Sequence, residues 1–420
     1  MVDNDVIVVG AGVAGLGAAR ALSDAGFDVL ICEAHSRIGG RVQSLRRSRE
    51  HVIELGAEFI HGDTVSTWQL VRQLTLSTSV DARWDGRMVW DGQQLQRMTH
   101  LVPHDPQLRA LLTIEDALLD YSGPDMSFAS WLESHGYTGV ARHLADIRLS
   151  HSAATMPERQ SVLAMRSDLL ASEHLGGNDH HIEAGYSQII YHLADGIPIW
   201  CDTPVIAIHD EGSCCRVVLG DGRTRTARYV VVTVPLTILK AGLIRFDPAL
   251  SAAKTTAIHA IDMHAALKVV LQFDQPFWPE DMSFLTLSDP APVWWTPRSG
   301  SPYLMGLFTG ERAQHMRMMP DIVATCVTHI TQAFALTTTP VLQWSHVEDW
   351  LADPWIRGGY SSVPVGAHGQ RDALAAAHGR VHFAGEATAL DGQSASVHGA
   401  LSSGWRAAAA VKEELVHDKH

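Results

Sequence analysis

A glycine turn near the start of the chain most constrains what it can fold into. Asp5-Val-Ile-Val-Val9 reads as a buried strand, and Gly10-Ala-Gly12-Val-Ala-Gly15 follows it. A small-residue helix then runs through Ala18, Ala19, Ala21 and Leu22 to Gly26, which stands where a helix-ending glycine belongs. Phe27 to Cys32 is a second apolar strand, closed by Glu33. One βαβ unit therefore fits within ~30 residues. The Gly-x-Gly-x-x-Gly spacing is weak alone, but between a strand and a helix it predicts a dinucleotide site. Gly10 permits the tight turn, Gly12 lets backbone approach a pyrophosphate, and Gly15 lets the helix pack on the strand. Val13 and Ala14 open the helix, whose free N–H groups and dipole favour phosphate. Glu33, about 20 residues on, suits a ribose diol and repels a 2′-phosphate, which disfavours NADP and leaves NAD and FAD.

The next segment, Ala34-His-Ser-Arg37-Ile-Gly39-Gly40-Arg41, moves the reading to FAD. Its paired glycines suit close approach to a phosphate, with Arg41 as the cation. Further strands are predicted at Val52 to Leu55, around Asp85-Gly86 and Asp91-Gly92, and at 265–273, 303–308 and 380–384. A hairpin is predicted from Val217 to Val234, closed by Pro235. Residues 105–175 read as mostly helical, 311–336 as one amphipathic helix, and 397–415 as the last helix. Lys268 is the single lysine in Ala265-Ala-Leu-Lys-Val-Val-Leu271. Alternation turns it inward, where a lysine is costly without a purpose.

The chain of 420 residues predicts two or three domains with sizeable cores. No linker or repeat separates them, and the last 40 residues again read as strand, glycines and helix. This predicts an α/β fold in which a Rossmann-type FAD domain (1–80, 182–248 and 345–420) interleaves with an α+β substrate domain (81–181 and 249–344). The net charge of -14 argues against nucleic acid or an anionic membrane as partner. Five cysteines without a CxxC motif fit a reducing compartment. The acidic N-terminus reads as no signal peptide, and no apolar stretch reaches membrane-spanning length, so a cytoplasmic location is expected. No metal site is expected. Asp179-His180-His181 reads as a polar loop, and no HExxH-like spacing occurs.

At this point the sequence resembles the flavin-containing amine oxidases, which include monoamine and polyamine oxidases. Four segments carry the likeness: GAGVAGLGAAR with Glu33, RIGGRV, ELGAEFIHG and FAGEATALDGQSASVHGALSSGWRAA. The resemblance implies that Gly10, Gly12, Gly15, Glu33, Gly40 and Arg41 hold the ADP half of FAD, with Gly56, Ala57 and Glu58 nearby. It implies that Val205 meets the adenine and that Gly385 and Glu386 lie at the pyrophosphate and ribityl. Ser396 and Val397 would begin a helix facing the pyrimidine side of the ring. Lys268 would hold a water against flavin N5, and Tyr360 would be one wall of an aromatic cage. The second wall falls at Ser396, so the cage is half built, as in animal-type polyamine oxidases and histone demethylases. Gly359 stands where monoamine oxidases carry the flavin-linking cysteine, so the FAD is expected to be non-covalent.

For substrate, His61 matches the histidine that animal-type polyamine oxidases place near the amine, and Glu58 with the net charge leans towards a cation. Trp295, Trp294, Trp131 and Trp84 are candidates for an apolar tunnel. No arginine follows Gly56 until Arg72, which counts against an L-amino-acid oxidase. The implied chemistry is hydride transfer from a primary or secondary amine, polyamines among the candidates, to flavin N5. Imine or aldehyde is released, dioxygen is the acceptor, and hydrogen peroxide forms. Lys268, His61 and Tyr360 are the expected catalytic residues, and Glu58, His61, Trp295 and Tyr360 the expected substrate contacts. The competing readings are a desaturase of a non-amine substrate, a histone-demethylase-like or scaffold protein, and a non-catalytic FAD binder. The chain lacks room for the long helical insertion a demethylase would need, and its oligomeric state is open.

Overall fold

The computed structural model describes residues 2–48, 51–81 and 86–418. Strand Asn4–Val9 lies inside an eight-stranded sheet. Val29–Cys32 and Ile199–Trp200 extend that sheet in parallel on one side. Thr224–Val232 runs parallel on the other. Its first half pairs antiparallel with Cys215–Leu219, and its last residues pair in parallel with Val381–Phe383. Val205–Asp210 and Arg245–Asp247 complete the sheet. Val6, Ile7 and Val8 are fully buried, as an unbroken apolar strand covered on both faces must be. Val6 and Val8 face a core made with helices Val13–Asp24 and Val397–His417, while Ile7 and Val9 face the hairpin side. The two helices pack backbone against backbone. A Cβ at Gly404 would lie 2.2 Å from the carbonyl oxygen of Ala14. The two ends of the chain are joined there.

A second sheet has seven strands, in the order Leu342–Asp349, Ala266–Phe273, Tyr303–Thr309, Val293–Trp295, Phe284–Thr286, Met88–Trp90 and Leu95–Arg97. A three-stranded sheet joins Phe59–His61, Asp179–Ile182 and Thr78–Asp81. Short helices between Pro106 and Ser172 close around Phe128 and Trp131. The chain thus passes from the first large sheet to the second and back twice. This is a Rossmann-type α/β domain interleaved with an α+β domain. Strand Leu342–Asp349 crosses the expected boundary at 344/345 and pairs within the seven-stranded sheet.

Two local expectations are corrected. The helix expected over 311–336 is two helices, Gly310–Arg317 and Ile322–Ala333. Pro320 lies in the break, and the Asp321 carboxylate caps the second helix by accepting from Ala324 N at 2.9 Å. The polar run Asp179-His180-His181 is not a loop but a strand, paired on both edges. Among the described residues no helix is long and apolar enough to cross a membrane.

Candidate active site

A cavity of about 530 Å³ opens along the end of strand Asn4–Val9 and runs to the seven-stranded sheet. At one end the glycine turn forms its floor. Gly10, Gly12, Val13 and Ala14 line it, but Gly15 does not. A Cβ at Gly15 would lie 2.0 Å from the carbonyl oxygen of Gly10, so this glycine serves helix packing. Gly12 instead has open space beside it. Glu33 ends the second strand, with its carboxylate accepting from Ala11 N at 2.5 Å and His35 N at 2.7 Å. Burial raises its pKa above the usual carboxylate range. Ala34 continues this wall, and Val205 lines the cavity from another strand of the same sheet. Gly39 bridges to Gly12, which stacks the second glycine turn, with Gly40 and Arg41, on the first.

Arg41 reaches across the molecule. It donates to Gly359 O at 2.6 Å and pairs with Glu386 at 3.0 Å. Expected as a cation for phosphate, it also ties the N-terminal glycine turn to the C-terminal strand. Glu386 accepts from Ser361 Oγ at 2.7 Å and Ala395 N at 3.1 Å. Burial alone would raise its pKa, but Arg41, Ser361 and Arg371 outweigh burial and hold the carboxyl below its ordinary range. Gly385 and Glu386 line the cavity, as do Ser396 and Val397 at the start of the last helix. Ser396 caps that helix, its hydroxyl accepting from Gly399 N at 3.0 Å. Two helix N-termini, at Val13 and Val397, therefore open on one cavity.

Gly56, Ala57 and Glu58 lead from this cradle to the other end. There Lys268 is 2% exposed, and its ammonium donates to Glu58 Oε2 at 2.6 Å and Gly56 O at 3.2 Å. Trp295 Nε1 donates to the other oxygen of Glu58 at 2.9 Å. Each oxygen of Glu58 thus already accepts a hydrogen bond from the protein. Phe59, Phe284 and Trp295 form an aromatic wall, with centroids 5.9 to 6.3 Å apart. His61 lines the cavity half exposed, with Nδ1 2.7 Å from Asp179 Oδ1. Tyr360 lines the opposite side, and its hydroxyl donates to Ser152 O at 2.8 Å. Burial pushes its pKa up. A side chain at Gly359 would start 2.7 Å from Ala266 Cβ, so a cysteine does not fit there without movement.

All the expected site residues except Gly15 meet in this cavity. The tryptophans divide. Trp295 lines it, Trp131 and Trp294 are fully buried in separate cores, and Trp84 lies outside the described residues. Sequence reasoning missed Phe59, Phe284, His151, Arg87 and Arg148. His151 is buried, which lowers its pKa to about 4 and keeps the ring neutral. Arg87 lies 4.8 Å over the Phe284 ring, and Arg148 pairs with Glu115 at 2.8 Å. These two arginines come from segments far from the stretch after Gly56, so no local pattern there marks them.

The sequence profile of the flavin containing amine oxidoreductases matches residues 13–412. The chain belongs to that family. Polyamine oxidase 4 of Oryza sativa subsp. japonica is 29% identical over 444 residues, 99% of this chain and 90% of that relative. Lysine-specific histone demethylase 1B of Mus musculus is 29% identical over 418 residues, 92% of this chain and 50% of the relative. The chain thus spans about half the length of that demethylase. Cyclohexylamine oxidase from Brevibacterium oxydans IH-35A superposes with a TM-score of 0.85 at 24% identity, over 98% of this chain and 99% of that one. A putrescine oxidase bound to putrescine gives 0.79 at 22% identity, over the same shares. At such identities these two show the shared fold. The cofactor is FAD. The open space at Gly12, the carboxylate of Glu33 and the two helix N-termini fit an adenosine, a pyrophosphate and an electron-rich ring.

Proposed function

We propose that the protein oxidises a primary or secondary amine, with dioxygen as acceptor, to an imine or aldehyde and hydrogen peroxide. The observation that carries this reading is Lys268, a buried ammonium in the cavity wall between the glycine cradle and the aromatic wall. FAD, when bound, supplies a two-electron acceptor for the C–H bond beside nitrogen and passes the electrons to dioxygen. The rest falls to the chain. The cradle residues hold the cofactor without a covalent link, which Gly359 and its contact with Ala266 support. Phe59, Phe284, Trp295 and Tyr360 exclude water and pack the substrate's carbon skeleton. His61, braced by Asp179, orients the amine or takes its proton, since the nitrogen lone pair must be free. Lys268 acts at the reacting side of the cofactor. The expected domain division, read with Leu342–Asp349 moved to the substrate unit, puts this pocket where the two units meet. The five unpaired cysteines support a cytoplasmic location.

With Glu58 engaged by Lys268, a small or apolar amine fits this wall better than a polycation. Arg87 and Arg148 favour a second reading, an amine that carries a carboxylate. Anaerobic flavin bleaching with monoamines, putrescine, spermidine, spermine and L-amino acids separates these readings. Peroxide release with none of them sinks the proposal. K268M is expected to cut turnover by about 100-fold while FAD stays bound. Full activity in that variant removes Lys268 from the mechanism.

A further inference from the structure

A lysine ammonium has three N–H donors. In Lys268 two are committed within the protein, to Glu58 Oε2 and to Gly56 O. Glu58 in turn is fixed at both oxygens, one by Lys268 and one by the indole N–H of Trp295, and is 6% exposed. His181 stands behind it, with Nδ1 3.7 Å from Oε1. Turning the carboxylate away would take from the buried ammonium its charged partner, leaving Gly56 O, and from the buried indole N–H its acceptor, so the arrangement is stiff. Trp295 and Lys268 sit on two strands of one sheet with Tyr303–Thr309 between them, and Glu58 enters from the loop after Val52–Glu54. The pair is therefore built where the two interleaved units meet.

We propose that Glu58 is the positioning residue of Lys268. It anchors the ammonium and, with Gly56 O, leaves a single N–H to face the cavity. The charged or titratable neighbours are Glu54, whose charge acts on Lys268, His181 behind Glu58, and Glu348, the cross-strand partner on Leu342–Asp349. None of these takes the place of Glu58 at hydrogen-bond distance. The inference rests on the reading of Lys268 as the group beside the reacting side of FAD.

The test uses holoenzyme reduced by dithionite, so that no amine is needed. Wild type, E58Q, K268M and E58Q/K268M are mixed with oxygenated buffer, and reoxidation is followed by flavin absorbance. Midpoint potentials are measured by dye equilibration. E58Q is expected to slow reoxidation by about tenfold and to shift the potential, and to do neither when added to K268M. If E58Q behaves as wild type, or its effect is equal in both backgrounds, Glu58 does not act through Lys268. If K268M alone reoxidises normally, the Lys268 reading falls and this inference with it. If the cycle behaves as expected yet no amine reduces the flavin, only the amine substrate is wrong. Should E58Q fail to fold, E58D and E58D/K268M give the same cycle with the charge kept and the reach shortened.

Discussion

Glu54 lies in the same buried acidic and basic cluster as Glu58 and Lys268, and it titrates near neutrality. Burial pushes its carboxyl up to about 7, against hydrogen bonds from Tyr186 N at 2.7 Å and Ser44 Oγ at 2.8 Å. The folded protein therefore holds this proton more tightly than the unfolded chain does. That contribution to stability is complete below about 4.5 and is lost as pH rises to about 7. E54Q, which stays neutral, should gain about 3 kcal/mol on wild type across that window. Thermal denaturation of both proteins over this range checks it. An unchanged difference means that Glu54 does not titrate there. Nothing in Val52-Ile-Glu-Leu55 marks Glu54 as buried on every side, because the covering atoms come from Tyr186 and Ser44. Lys268 is the opposite case. Its isolation in an apolar run was legible, since strand alternation fixes which way it points.

The last helix, Val397–His417, shows what one element contributes. Its start at Ser396-Val397 was legible from the motif, and it runs to His417, two residues past the expected end at 415. Ser396 is both the N-cap and a cavity wall. S396A should cost about 1 kcal/mol of stability, and S396T should restore most of it. Because the capped N–H groups open on the cofactor site, FAD affinity measured by flavin fluorescence should fall with S396A as well. A loss of stability without a loss of affinity would separate the cap from the site. Strand Asp179–Ile182 was not legible. Its polar residues gave no alternating apolar pattern, and its strand state comes from hydrogen bonds to two neighbours. Helix 311–336 failed for a local reason. Pro320 interrupts a pattern that otherwise continues through the break.

At the scale of the whole molecule, the cradle is made of both chain ends. Arg41 and Glu386 are 345 positions apart and 3.0 Å apart in space. A ligand that spans such a site stabilises the whole fold. Adding FAD to apoprotein at 100 times its dissociation constant should stabilise it by about 2.7 kcal/mol, seen as a rise in unfolding temperature that grows with FAD concentration. R41A should shrink that rise, because Glu386 loses a partner and the two turns lose their link. An equal rise in R41A and wild type would show that the link does not serve the cofactor.

By itself the sequence determined the βαβ unit, the glycine geometry, the inward lysine and the closing helix. These rest on short-range physics: backbone freedom at glycine, the period of an element, and the cost of burying charge. The tertiary structure alone decided what each charge is paired with. Glu58 is tied to Lys268 and Trp295, which reach it from a distant sheet. Arg87 and Arg148 reached the cavity from segments that no local motif links to it. Trp131 and Trp294 went to the cores, and Trp295 to the cavity wall, because side-chain burial depends on which elements pack opposite. Pairing and burial are properties of neighbours, and the neighbours of this site come from both ends and the middle of the chain.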